Sequence, residues 1–271
     1  MVSFQCTLSY ATRTYDGTAF MRLGALLGPI SDATQTRALA EQARRYVGDG
    51  LHSLWSAQAI GRGFMISDPF IALAVAACVT EDVELGTAVL QVPLYRPVDL
   101  AHRVFSLQQI CGDRLILGVG AGSTQADFTA FGLDHARRFV DFTHSIAALR
   151  EVFATGSLDG VALSPWPAVR GGPPLFLGSW GNGVERAARS FDGWIASAHY
   201  RSVDEVIAAL KRYRAAGGGR AIVSTIQLPA GTDLGRLKHD LDRFAEAGFD
   251  DAVVMFLPGS PTPAQIRRLV D

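Results

Sequence analysis

From Met21 onward the apolar residues alternate between short continuous runs and helically spaced sets. Val83 to Leu90 and Arg114 to Gly122 are runs of the first kind, each reading as a buried parallel strand that ends in a small-residue turn. Between them, Pro97 to Cys111 places Leu100, Ala101, Val104, Phe105 and Leu107 on one helical face. The same alternation predicts further strands at Arg22–Leu27, Leu51–Ser56, Pro174–Leu177, Trp194–Ala198, Ala221–Gln227 and Ala252–Phe256. It predicts helices over Thr34–Val47, Phe139–Phe153, Gly183–Arg189, Val203–Ala216 and Leu234–Ala247, with a short one from Pro263. Asp32 is a suitable N-cap for the first helix. Asp68 and Pro69 open a helix that runs to Val79, as N-cap and first residue, and Gly248 closes the helix before it. Two segments fall outside the rhythm. Thr155 to Gly172 is rich in Gly and Pro and reads as a loop over the barrel mouth, and Gln125 to Gly132 reads as a loop as well.

About eight strands, each followed by a helix and with no domain-sized linker, predict an α/β fold: a single (β/α)8 TIM barrel over residues 21–271. Residues 1–20 precede the first strand as an N-terminal extension. They form an extra strand or hairpin, or else the coding start lies too early and Met21 is the natural first residue.

Composition narrows the function more than the fold. The chain has 271 residues, 48% of them hydrophobic, and a formal net charge of −1. That balance creates no field for nucleic acid or acidic lipid. No apolar run is long enough to span a bilayer, and the N-terminus lacks the pattern of a signal peptide. Cys6, Cys78 and Cys111 are scattered, and the last two sit in apolar helical contexts that suit buried free thiols. A cytoplasmic location is the expectation. The six histidines show no His-x-His, His-Glu-x-x-His or carboxylate at ligand spacing, so no metal is expected.

In a parallel barrel the ligand site lies at the carboxyl ends of the strands. Thr87-Ala88-Val89 and Gly120-Ala121-Gly122 occupy those ends, where small residues would let a planar ligand approach the backbone. A tight turn alone would also ask for small residues. A dinucleotide fingerprint would need glycine three places after Gly120, and that residue is Ser123. His199 closes the strand Trp194–Ala198 and should reach the barrel mouth, where an imidazole suits general acid–base work. Gln58 stands at the end of the second strand, with Trp55 just before it.

Several stretches, in this order, resemble the bacterial-luciferase-like flavin oxidoreductases. They are Leu85-Gly86-Thr87-Ala88-Val89, Arg96-Pro97 with Leu100-Ala101, and Asp113-Arg114-Leu115 with Leu117 to Gly122. Asp127-Phe128 with Ala130-Phe131-Gly132 follows, then Pro173 to Ser179 with Ala187-Ala188-Arg189 and Asp192-Gly193-Trp194. The resemblance implies a flavin, FMN or the deazaflavin F420, with FMN the preferred of the two. It implies a non-prolyl cis peptide at Ala88-Val89 behind the ring, and ring contacts along Gly120, Ala121, Gly122 and Ser123. Gly178-Ser179-Trp180-Gly181-Asn182 would be the phosphate loop, leading into a helix N-terminus that supplies N–H donors. Gln58 could bond the pyrimidine edge of the ring. A small-molecule substrate is implied, with a separate flavin reductase as partner if FMN is used, and a homodimer is an allowed assembly.

Three departures limit what carries over. The Asp-His pair that many F420-using relatives place after the second strand is Gln58-Ala59 here. The carboxylate that some place after the Gly-rich turn is Ser123, and the phosphate-binding arginine of the luciferase turn is Ala121. The resemblance therefore implies either a monooxygenase working with reduced FMN and O2 or an F420-dependent hydride-transfer enzyme. The missing acid–base residues also allow a non-catalytic flavin-binding barrel, which turnover measurements would separate from an enzyme.

Overall fold

The structure, a computed structural model, describes residues 21–28 and 37–270. The proposed extension 1–20, the cap at Asp32 and Cys6 lie outside the described residues. Eight parallel strands close into a ring. They are β1 (Arg22–Leu26), β2 (Ser53–Ser56), β3 (Glu84–Thr87), β4 (Leu115–Gly120), β5 (Leu175–Gly178), β6 (Gly193–Ser197), β7 (Arg220–Leu228) and β8 (Asp251–Phe256). Each strand pairs with its neighbours in sequence, and β1 pairs with β8.

Nine helices lie among the described residues: α1 (Ala38–Gly48), α2 (Pro69–Val79), α3 (Pro97–Cys111), α4 (Gln125–Ala130), α5 (Arg138–Thr155), α6 (Gly183–Ser190), α7 (Val203–Ala215), α8 (Leu234–Ala247) and α9 (Pro263–Arg267). The TIM barrel read from the sequence is what the chain forms. Asp68 caps α2 as expected, its Oδ1 accepting from the N–H groups of Phe70 at 2.9 Å and Ile71 at 3.2 Å. Gly248 ends α8 at φ +97°, a left-handed backbone that side chains resist.

The barrel interior is one thin layer to which every strand contributes a residue: Leu26, Trp55, Ala88, Ile116, Phe176, Ile195, Ile222 and Val253. Trp55 and Phe176 fill most of it. They fit because their neighbours lack side chains: a Cβ on Gly86 would sit 2.3 Å from the Trp55 ring, and one on Gly193 would sit 2.3 Å from Phe176. The larger core lies outside the barrel, between strands and helices. There Trp194 is fully buried and donates from Nε1 to the Ser179 carbonyl at 3.1 Å.

Three sequence expectations need correction. Gln125–Gly132 is not all loop, because α4 turns Asp127 and Phe128 inward and both are buried; six residues are too few for a helical period to show. Thr155–Gly172 does not cover the mouth: it runs from the end of α5 to the start of β5, at the amino ends of the strands, and holds a small antiparallel hairpin, Ser157–Leu158 against Val161–Ala162. Cys78 is exposed, while Cys111 is buried. Helix α2 is apolar nearly all round, so its sequence does not mark which face turns outward.

The barrel floor, at the amino ends of the strands, is a compact charge cluster. Arg220 reaches Asp251 at 2.8 Å and Glu84 at 2.7 Å. Arg22 meets the same two carboxylates at 2.6 and 2.7 Å. Burial pushes both carboxyls up to about 7, against the pull of Arg22. Such a cluster holds only while its charges balance. Arg220→Met should therefore destabilise the fold by about 3–5 kcal/mol in denaturant unfolding. The deficit should grow as pH rises from about 5 to 8. The wild-type carboxyls already stand above the unfolded value near 4, and losing one arginine raises them further, so the variant holds more protons over this range and its stability falls more steeply with pH. A deficit that shrinks with rising pH would contradict this account.

Candidate functional site

The mouth, at the carboxyl ends of the strands, is shaped by an irregularity in β3. Below it, Gly86 pairs with Ile116; above it, Leu90 pairs with Val119. One more residue is used on β3 than on β4, which is a β-bulge. The peptide Ala88-Val89 within it is cis, as the family resemblance implied. Thr87 is fully buried, and its hydroxyl donates to the Gly118 carbonyl at 2.7 Å, fastening the bulge to β4.

Val89 explains two of the glycines. A Cβ on Gly120 would lie 2.9 Å from its side chain, and one on Gly178 would lie 2.7 Å from it. Gly122, at φ +83°, leaves room for Gln91 and Phe128 in the same way. These glycines thus accommodate the protein itself, where the sequence had suggested close approach by a ligand. Above the inner layer, Ala57, Val89 and Met255 lie half-buried and form an apolar bed at the mouth.

A polar network fastens the rim on the β2–β4 side. Asp127 of α4 is fully buried. Its carboxylate accepts from the Ile60 N–H at 3.2 Å, from Arg62 Nε at 3.0 Å and from Gln91 Nε2 at 2.7 Å, and it closes a further contact with the Arg62 guanidinium. Burial would raise this carboxyl, but the hydrogen bonds from Arg62 and Gln91 outweigh it and hold the group below the usual carboxylate range. Gln58 continues the network. Its Oε1 accepts from the Gln91 N–H at 2.9 Å, and its Nε2 donates to the Tyr95 hydroxyl at 2.7 Å. With both ends of its amide holding a partner, Gln58 braces the rim, and one N–H and one lone pair of the amide remain.

On the β5–β7 side, Gly178, Ser179 and Trp180 are half-buried, while Gly181 and Asn182 are exposed at the amino end of α6. Ser179 Oγ donates to the Gly183 carbonyl at 2.8 Å. Trp180 packs edge-on to Trp194 with ring centroids 5.9 Å apart. Ala121 is half-buried and Ser123 exposed, beyond the end of β4.

His199 follows β6 and its ring lies against Tyr200, but its Nδ1 is buried with no hydrogen-bond partner. It lines a cavity of about 240 Å³ with Arg201, Thr225, Gln227, Asp240 and Phe244 among others. Thr225 stands at φ +60° where β7 shifts register against β8, an unusual backbone for a β-branched residue. A larger cleft of about 890 Å³ lies near the other end of the strands, beside Arg44, Glu81 and Arg114, and takes no part in the mouth.

Sequence reasoning singled out Asp127 only as part of a motif and passed over Arg62, Gln91 and Tyr95. Arg62, in the loop after β2, and Asp127, on α4, are 65 positions apart, so no local spacing could pair them.

Residues 19–233 match the family model for luciferase-like monooxygenases, and the chain belongs to that family. An uncharacterised protein of Mycobacterium tuberculosis is 28% identical over 196 residues, covering 69% of this chain and 68% of its own. The 5,10-methylenetetrahydromethanopterin reductase of Methanolobus tindarius is 30% identical over 200 residues, 71% of this chain and 57% of that one. Among solved structures, a monooxygenase from Streptomyces bottropensis superposes with TM-score 0.75 at 19% identity, covering 92% of this chain and 96% of its own. The oxygenating constituent of 3,6-diketocamphane monooxygenase from Pseudomonas putida, solved with FMN, gives 0.70 at 15% identity over 92% and 97%. The F420-dependent tetrahydromethanopterin reductase of Methanopyrus kandleri gives 0.64 at 13% identity over 93% and 97%. Members of the family are oxidoreductases, flavin monooxygenases and F420-dependent reductases among them. No helix among the described residues is long and apolar enough to cross a membrane.

The rim network yields a test of its own. Asp127→Asn leaves Arg62 without a counter-charge and should cost about 2–3 kcal/mol of stability, the low end for a broken buried pair because Arg62 is partly exposed. A carboxyl held below its unfolded pKa stabilises only above that pKa. The difference between wild type and variant should therefore be full at pH 7 and shrink below about pH 4. Faster proteolysis within residues 59–67 would accompany it; equal stability at pH 7 would show that the network is not holding the rim.

Proposed function

We propose that this chain is a luciferase-like monooxygenase that acts on a small organic substrate with reduced FMN and O2. The observation that carries the reading is the mouth itself: an apolar bed of Ala57, Val89 and Met255 beside the exposed turn Gly181-Asn182 that opens α6. The first suits a planar ring. The second offers the N–H groups of Gly181 and Asn182 and the Asn182 amide to an anion at the positive end of α6, while the N–H groups of Gly183 and Val184 are bonded within the turn. The residues present therefore fit a flavin phosphate ester. Bound flavin would supply the redox chemistry. The chain would hold the ring against the β3 bulge (Thr87, Ala88 and Val89), flank it with Gly120, Ala121, Gly122 and Ser123, and grip the phosphate along Gly178 to Asn182.

The FMN complex of the camphane monooxygenase component and the monooxygenase with the highest fold similarity of the three support the FMN version. A flavin reductase would then supply the reduced cofactor, in the cytoplasm. Similarity to the methanopterin reductases supports the second reading, hydride transfer from F420. The absence of a histidine at Ala59 counts against it. A homodimer is compatible with either.

Titration of the full chain with FMN and F420 side by side, read by fluorescence, separates the two, and FMN should bind more tightly. Ser179→Ala with Asn182→Ala should weaken that binding by about 1–3 kcal/mol while leaving the fold intact; unchanged affinity would remove the phosphate turn from the site. In this reading His199 moves the proton. His199→Gln should keep cofactor affinity and lower turnover by about 10²-fold. Unchanged turnover would leave His199 as a wall of its cavity and nothing more.

A further inference from the structure

A phosphate ester on the Gly178–Asn182 turn brings about two negative charges to a surface whose facing turn offers only Ala121. Three arginines stand near the turn. Arg212 is paired already: it donates from Nε and Nη2 to Glu185 at 2.8 and 2.9 Å and from Nη2 to the Gly181 carbonyl at 2.7 Å, so its charge is neutralised by Glu185. Arg186 points toward α5, lying over Phe142 at 5.4 Å and donating to the Thr143 hydroxyl at 3.3 Å.

Arg201 differs from both. Its guanidinium lies over the Trp180 ring, 4.2 Å from the centroid, and so rests on the turn itself. Its one ion-pair contact among the described residues is long, 3.8 Å to Glu205 Oε1, and Asp240 lines the same cavity. The other oxygen of Glu205 is taken at the start of α7, accepting from Ser202 N–H at 2.8 Å and Ser202 Oγ at 2.9 Å. Among the described residues the Arg201 guanidinium donates no hydrogen bond. Beside it on the same cavity wall is His199, with its buried and unpartnered Nδ1. A cation held in place by an aromatic face, with its N–H fork uncommitted, is prepared for a phosphate.

We propose that Arg201 is the phosphate-binding cation of this site, recruited from the start of α7 to the turn after β5. The inference rests on reading that turn as the phosphate site. It makes the cofactor a phosphate ester and gives Arg201, not the Gly-rich turn after β4, the task of telling the ester from the free alcohol.

The test compares wild type and Arg201→Met for binding of FMN against riboflavin, and of F420 against its phosphate-free deazaflavin core, by fluorescence titration of the full chain. Wild type should prefer the phosphorylated member of whichever pair binds. Arg201→Met should lose about 10- to 100-fold in affinity for that member, hold its affinity for the phosphate-free one within about 3-fold, and keep its melting temperature. Arg201→Lys should recover part of the preference, since charge without the planar fork still attracts phosphate. If wild type shows the preference and Arg201→Met retains it, the assignment of Arg201 is wrong while the phosphate turn stands. If wild type shows no preference, or binds neither pair, the reading of the turn fails and the assignment falls with it. A parallel loss for both members of a pair would mean that Arg201 only supports Trp180, which also overturns the proposal.

Discussion

The one-residue slip of β3 against β4 constrains everything above it. Below the slip the two strands are in ordinary parallel register, and the inner layer is closed by Trp55 and Ile116. Above it, Leu90 and Gln91 rejoin β4 one position out of step. The slip would leave a gap if Thr87 did not bond across to the Gly118 carbonyl, and if Val89 did not enter the space that Gly120 and Gly178 leave open. From that point the chain has a fixed direction. Gln91 is delivered to Asp127, and Gln58 to Gln91. Loops after β2, β3 and β4 become one rim because a single bulge aligns their polar groups.

The two ends of the barrel solve different problems. At the floor, Arg22, Arg220, Glu84 and Asp251 satisfy one another across four strands, and the arrangement leaves little freedom. At the mouth, Asp127 is satisfied by groups on neighbouring loops, while Gln91 Oε1 and His199 Nδ1 are buried without a hydrogen-bond partner. The outer core ties the other eight helices to the strands but takes no residue from α4, so the rim around α4 is fastened by its own polar network. Phe64 and Met65 project from the 59–67 loop into solvent.

Strands, helices and the closed barrel were legible in the sequence because each strand is buried on both faces and reads as an unbroken apolar run, while the helices keep a period. The turns at Thr87–Val89 and Gly178–Asn182 were legible through resemblance. The physical role of the glycines was not. The atoms that approach Gly120, Gly178 and Gly122 most closely within the protein belong to Val89, Gln91 and Phe128, and Val89 and Gln91 lie far along the chain from the glycines they touch. Gln58 shows the same limit: a long polar residue at a strand end does not announce its partners on another loop. Helix α4 was missed because six residues are shorter than two turns.

Charge placement is where the chain departs furthest from what a motif can tell. A motif assigns an ion-binding role to a position, but a phosphate responds to the field at a point in space, and several elements can supply it. Trp180 makes this substitution feasible here. Its ring is anchored edge-on against the buried Trp194, which in turn bonds the Ser179 carbonyl, so the aromatic face next to the turn is rigid. A long, flexible arginine laid over a rigid face loses much of its rotational freedom before any ligand arrives, and less remains to be lost on binding. The turn after β4 is then released from carrying charge, and small residues can remain there for the packing of Val89.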